Sequence, residues 1–209
     1  MQNIHNLIIL DASGSMGIIR NQAINGFNET VQTIRAAQKE HPEQNHRVTL
    51  VVFNSDAIET VYDGVPSAEV LDLTEDDYCP NCCTPLYDAM GFGINALRKK
   101  IAEEDTVLVT VITDGEENAS KEYNRTTVKA LVEELKAKGW VFTYMGANQD
   151  VEKVALSISI TNHVAWESSA EGTRSMFARE TRARKRFFDR LSEGDSAQAM
   201  QDDYFADEM

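Results

Sequence analysis

The run Thr106-Val107-Leu108-Val109-Thr110-Val111-Ile112-Thr113 carries a β-branched side chain at every position but Leu108, and it has no charged face. β-Branched residues favour the pleated backbone, and a strand with no alternating polar side is buried on both faces. Such a strand belongs inside a sheet covered by helices above and below. Ile4 to Leu10, Val48 to Phe53 and Trp140 to Met145 read as further buried strands, and His163 to Trp166 as a last short one. Ala57 to Tyr62 reads as a strand paired antiparallel to Val48–Phe53, closing at Asp63-Gly64.

Between these runs the apolar period changes to that of a helix. Ile18, Ala23, Phe27, Val31, Ile34 and Ala37 recur at helical spacing until His41-Pro42. Thr84-Pro85 is a helix-start signal, with Thr expected as the N-cap and Pro at the first helical position. Leu86 to Ile101, Val128 to Leu135 (stopped by Gly139), Val151 to Ile158 and Gly172 to Leu191 complete the helices. The loop from Pro66 to Cys83 is expected to hold one helical turn near Ala68 to Leu71. Strands alternating with helices predict an α/β fold. It is a three-layer, doubly wound sandwich around a mostly parallel six-stranded sheet with one antiparallel edge strand, Rossmann-like in outline. Residues 1–192 are read as one domain and residues 193–209 as an acidic, disordered tail.

A chain of 209 residues buries enough surface to fold without disulfides or a structural metal. Its net charge of −14 disfavours nucleic acid and anionic membranes and favours cations as small partners. The N-terminus lacks the features of a signal peptide, and no apolar stretch approaches the length of a membrane span. A cytoplasmic location is expected, in which the three cysteines stay free and the Asn28, Asn118 and Asn124 sequons are chance.

Two segments place carboxylates where buried strands end. Leu10 runs into Asp11-Ala12-Ser13-Gly14-Ser15, and Thr113 runs into Asp114-Gly115-Glu116-Glu117-Asn118. In open α/β sheets ligands bind beyond the carboxyl ends of the strands, where strand order reverses. Oxygen donors at Asp11, Ser13 and Ser15 can point to one side of a turn made tight by Gly14 and Gly17. Oxygen ligands without His or Cys suit a hard cation: Mg²⁺, Mn²⁺ or Ca²⁺.

Asp11-Ala12-Ser13-Gly14-Ser15 resembles the Asp-x-Ser-x-Ser signature of the von Willebrand factor A (vWA) domain family. Thr84-Pro85-Leu86-Tyr87-Asp88-Ala89 resembles that family's threonine loop and following helix, and Thr113-Asp114-Gly115 its second acidic segment. The three occur in family order across about residues 4 to 165. The resemblance implies a metal-ion-dependent adhesion site. In it the hydroxyls of Ser13, Ser15 and Thr84 coordinate one divalent metal, Mg²⁺ foremost, and Asp11 and Asp114 act directly or through water. It also implies an open coordination position for an Asp or Glu side chain of a protein partner. Thr84 and the partner's carboxylate come from the resemblance alone. Glu116, Glu117 and Asn118 are expected to line the rim, with no ligand role.

The expected function is thus a binding module and not an enzyme. A regulatory or scaffold subunit of a larger cytoplasmic complex is an alternative, and a metal-dependent hydrolase is another. No phosphate-cradling loop or recognisable triad supports the hydrolase. Simple helix capping accounts for one of Asp11, Ser13 and Ser15, but not for all of them together with Thr84 and Asp114. Cys79-Pro80-Asn81-Cys82-Cys83 could be half a zinc site lacking its second half, a redox pair, or plain loop thiols. The basic run Arg174, Arg179, Arg182, Arg184, Lys185 and Arg186 is expected to lie on an amphipathic helix docked on the domain.

Overall fold

The computed structural model describes residues 1–206. Six strands form in it: β1 (Gln2–Asp11), β2 (Gln44–Phe53), β3 (Ile58–Pro66), β4 (Thr106–Thr113), β5 (Val141–Gly146) and β6 (Asn162–Ala165). They make one sheet of order β3-β2-β1-β4-β5-β6, parallel throughout except where β3 pairs with β2. Every side chain of β4 is buried, as its composition requires.

Helices α1 (Arg20–Glu40) and α5 (Ala170–Ser192) cover one face of the sheet. Helices α2 (Leu86–Arg98), α3 (Arg125–Lys136) and α4 (Val151–Ser157) cover the other. β1 feeds both cores: Ile8 and Leu10 enter the first, Leu7 and Ile9 the second. α1 and α5 approach so closely that a β-carbon at Gly26 would lie 2.1 Å from the Phe177 ring. No helix among the described residues is long and apolar enough to cross a membrane.

β1 has β2 on one side and β4 on the other, so strand order reverses between β1 and β4. Their pairing sets Leu10 opposite Ile112, which brings Asp11 and Asp114 out at the same end of the sheet. This is the position that the open-sheet rule assigns to ligands.

Three expectations change. Thr84 is not the N-cap of α2; the helix begins at Leu86 after Pro85, with no capping bond from its own chain start. Its first amides are answered from the 117–120 segment instead, by Glu117 Oε2 on Tyr87 N (2.9 Å) and Ser120 Oγ on Asp88 N (3.0 Å). The Thr84 hydroxyl is thereby left for other work.

The second change is in the tail. Through Ala206 it is ordered against the domain, with Met200, Tyr204 and Phe205 buried in the first core. Tyr204 Oη donates to Glu180 Oε1 at 3.0 Å, and Gln201 Nε2 donates to the carbonyls of Lys136 and Trp140. Average charge suggests disorder, but three large apolar side chains within six residues outweigh it. Residues 207–209 of the expected tail lie outside the described residues.

The third change concerns the basic run. α5 docks with Met176, Phe177, Ala183, Phe187, Phe188 and Leu191 buried, yet Arg184 is fully buried with them. Its guanidinium donates to Glu180, Asn6 and Thr110. A buried charge needs such complete pairing to be tolerated.

Candidate metal centre

Asp11 is the last residue of β1 and is fully buried. Its Oδ1 accepts from Ser13 N (2.6 Å) and its Oδ2 from the Thr113 hydroxyl (2.6 Å), which ties the end of β1 to the end of β4. The Asp11 carbonyl accepts from the Tyr78 hydroxyl. The chain then turns through the 3-10 segment Gly14–Ile19. Ser13 Oγ and Ser15 Oγ lie 3.3 Å apart, and Ser15 Oγ donates to Asp114 Oδ1 at 2.5 Å. Asp114 Oδ2 accepts from Ser168 Oγ at 3.2 Å. Each carboxylate oxygen of Asp11 and Asp114 therefore already holds one donor.

Thr84 arrives from a different loop. Asn118 clasps it from both sides: Thr84 N donates to Asn118 Oδ1 (2.8 Å), and Asn118 N donates to Thr84 O (3.1 Å). The convergence of the three hydroxyls is visible at Gly115. A β-carbon there would lie 3.2 Å from Thr84 Oγ1, 3.5 Å from Ser15 Oγ and 3.9 Å from Ser13 Oγ. Glycine thus leaves a small oxygen-lined space that any side chain would begin to fill. All five residues singled out from the sequence meet here. Asp11, Ser13, Thr84 and Asp114 are buried, while Ser15 is exposed, so the group opens to solvent along the serine turn.

Burial pushes the Asp11 carboxyl up to about 6, partly offset by the bonds from Thr113 and Ser13. Burial likewise raises Asp114, against the bonds from Ser15 and Ser168. Among the described residues, no Lys, Arg or His contributes to either shift. Two desolvated acids without a basic neighbour, beside three convergent hydroxyls, form a donor set that fits a hard divalent cation. They do not fit a soft or imidazole-seeking metal.

Several residues of this arrangement escaped sequence reading. Thr113 looked like one more β-branched core residue, yet its hydroxyl orients Asp11. Ser168 lies far along the chain and joins Asp114 only because β6 ends beside β5. Asp88 accepts from the amides of Lys121, Glu122 and Tyr123 (2.8, 3.0 and 2.7 Å) and so fixes the loop that carries Asn118. Glu117, expected on the rim, turns inward onto Tyr87 N, Ala119 N and Ser120. Only Glu116 and Asn118 of that trio are exposed.

The cysteines are free and exposed. Among the described residues, the one His, Cys and carboxylate grouping close enough to share an ion is Glu40, His41 and Asp189, away from the thiols. Lys185 Nζ lies 2.7 Å from Glu40 and 3.4 Å from Asp189, so an ammonium already answers those charges.

The model of the von Willebrand factor type A domain family matches residues 7–179. Among solved structures, a mutant of the PilB minor pilin from Streptococcus sanguinis superimposes with a TM-score of 0.56 at 13% identity. That match covers 100% of this chain and 64% of the pilin. Proximal thread matrix protein 1 from the mussel byssus gives 0.61 at 14% identity, covering 85% of this chain and 44% of that one. The VWA domain of SpRpn10 gives 0.52 at 11% identity, covering 86% and 95%. The chain thus spans less than two thirds of the first two structures, and at these identities the likeness is one of fold. A search of curated protein sequences returns no match. With the family's profile running from β1 into α5 over a sheet of matching topology, the chain belongs to the von Willebrand factor type A domain family.

Proposed function

We propose that this domain, of a family whose members are generally protein-interaction modules, binds its partner through one divalent cation at the end of β1 and β4. Ser13, Ser15 and Thr84 would hold the ion, with Mg²⁺ the first choice and Mn²⁺ or Ca²⁺ as substitutes. Asp11 and Asp114 would supply negative charge through the hydroxyls they orient or through water. The cation would bring an unsatisfied positive charge to an otherwise acidic surface, and an Asp or Glu side chain of a protein partner would complete its coordination. The observation that carries the reading is the space above Gly115, within 4 Å of three hydroxyl oxygens from two separate loops and backed by two buried acids held only by neutral donors. The proposal makes the chain a binding module and not an enzyme.

Titration calorimetry with Mg²⁺, Mn²⁺ and Ca²⁺ on wild type, Thr84→Ala and Asp114→Ala tests the first half. One site in wild type and none in the variants is the expected result. Capture of a partner that requires Mg²⁺, fails in EDTA and fails with Thr84→Ala tests the second half. Equal capture in EDTA would remove the cation from the interface. Phosphatase turnover with Mg²⁺ or Mn²⁺, lost in Asp114→Ala, would turn the reading to a hydrolase.

A further inference from the structure

The segment Cys79-Pro80-Asn81-Cys82-Cys83 carries three exposed thiols and leads directly into Thr84. Its backbone also braces the serine turn. Asn81 N donates to Ala12 O (2.9 Å), Gly14 N donates to Cys82 O (3.0 Å) and Ser55 N donates to Cys83 O (3.0 Å). The segment lies in contact with the turn: a β-carbon on Gly14 would meet Cys82 O at 3.4 Å, an ordinary van der Waals distance. Cys82 has φ +60°, a left-handed conformation that L side chains rarely adopt. The sulfurs of Cys79 and Cys82 face different neighbours. Cys82 Sγ donates to Asp56 Oδ2 at 3.1 Å, on the turn between β2 and β3. Cys79 Sγ lies 3.8 Å from the Arg20 guanidinium and 3.7 Å from the Glu75 carbonyl.

We propose that Cys79 and Cys82 form a dithiol site for low-molecular-weight disulfides, and that closing their disulfide withdraws the brace from the serine turn and weakens cation binding. The chemistry stands on the thiols alone; its consequence rests on the metal reading given above. The pairing follows from the spacing along the chain and from what holds Cys83. Cys82 and Cys83 are adjacent across a trans peptide, so their Cα atoms are about 3.8 Å apart, short of the roughly 4.4 Å a disulfide needs. Cys83 is held at both amide and carbonyl by Ser55. Cys79 and Cys82 have the Cys-x-x-Cys spacing of redox dithiols.

In the reaction, the Cys79 thiolate, with the Arg20 cation beside it, attacks one sulfur of a disulfide RSSR and expels RS⁻. Cys82 loses its proton to solvent and attacks the Cys79 sulfur of the mixed disulfide, expelling the second RS⁻. One external disulfide is reduced to two thiols, and the protein dithiol loses two electrons and two protons. Because the two sulfurs lean on different neighbours, joining them draws Cys82 away from Asp56 and its carbonyl away from Gly14 N. Ser13 and Ser15, on either side of Gly14, then lose their fixed spacing to Thr84.

The test is to expose the full chain to glutathione disulfide at mildly alkaline pH, map disulfides by mass spectrometry, and titrate Mg²⁺ before and after. Wild type, Cys79→Ser and Cys83→Ser are compared. A Cys79–Cys82 disulfide is expected in wild type and Cys83→Ser and not in Cys79→Ser. Oxidised wild type should bind Mg²⁺ about tenfold to a hundredfold more weakly, as when a supporting contact of a metal ligand is lost. Dithiothreitol should restore it, and Cys79→Ser should be indifferent to the oxidant. Absence of the Cys79–Cys82 linkage, zinc uptake that shields all three thiols, or unchanged Mg²⁺ affinity after oxidation would each overturn the proposal. If the reduced protein takes up no Mg²⁺, the metal reading and the coupling fall together, while the disulfide map still decides the dithiol.

Discussion

Asp11 keeps a carboxylate in a fully buried position, and without a cation that placement works against the fold. Its folded-state value of about 6 stands above the ordinary 3.8. Between those values the folded chain binds more protons than the unfolded one, so the contribution of Asp11 to stability falls as pH rises through that window. Above it the metal-free domain carries a cost of about 2–3 kcal/mol from this group. Asp11→Asn keeps an acceptor for Ser13 N and removes the charge. In EDTA at neutral pH it should melt higher than wild type, whereas in Mg²⁺ it should melt lower; thermal melts in the two buffers decide the matter. A melting temperature lowered in both would mean that Asp11 serves the fold and not an ion. Gly115→Ala separates site from fold in another way. The added methyl meets Thr84 Oγ1 at 3.2 Å, where the proposed cation would draw the hydroxyls together. Calorimetry should show Mg²⁺ affinity reduced by about tenfold or more, with circular dichroism unchanged.

The elements make sense of what sequence could and could not announce. β4 declared itself because seven β-branched residues leave a strand no other place than the interior. Asp11 and Asp114 were legible because each follows such a strand directly. Thr84 needed the family likeness, since nothing in its own neighbourhood shows that Asn118 will hold it against the serine turn. Ser168 was invisible for the same reason on a larger scale: its partner is 54 positions away, beyond β5 and β6. The segment after α5 was misread because charge was averaged over it while Met200, Tyr204 and Phe205 were not weighed singly. Arg190 also holds it, reaching Asp195 and Asp203 at 2.7 and 2.8 Å. Truncation after Ser192 should therefore cost the domain stability, by about 3–6 kcal/mol if burial of two aromatic side chains sets the scale. Tyr204→Phe, which only deprives Glu180 of a hydroxyl donor, should cost about 1–2 kcal/mol. Chemical denaturation of both variants measures this. A truncated chain as stable as wild type would return the segment to the status of a loose tail.

At the scale of the whole molecule, two separate cores on the two faces of the sheet supply the apolar burial that drives folding. Ala12 and Met16 of the serine turn and Tyr78 of the loop before Thr84 enter the first core as well, but most of both cores comes from the strands and helices. A cation bound at that end should therefore stabilise by mass action and not by creating structure. The gain is about 2.7 kcal/mol at a free ion concentration one hundred times the dissociation constant. For a domain of this size that corresponds to roughly 5–10 °C in Tm. A series of melts in rising Mg²⁺ should show Tm climbing with the logarithm of concentration once past the dissociation constant, with the far-ultraviolet spectrum identical in EDTA and in Mg²⁺. Thr84→Ala should give a flat line at the metal-free Tm. Loss of secondary structure in EDTA would instead make the ion part of the scaffold. A rise in Tm shared by Thr84→Ala would assign the effect to general screening of the −14 net charge. Only a concentration-dependent gain confined to the chain with its threonine intact identifies the end of β1 and β4 as the place where the ion is held.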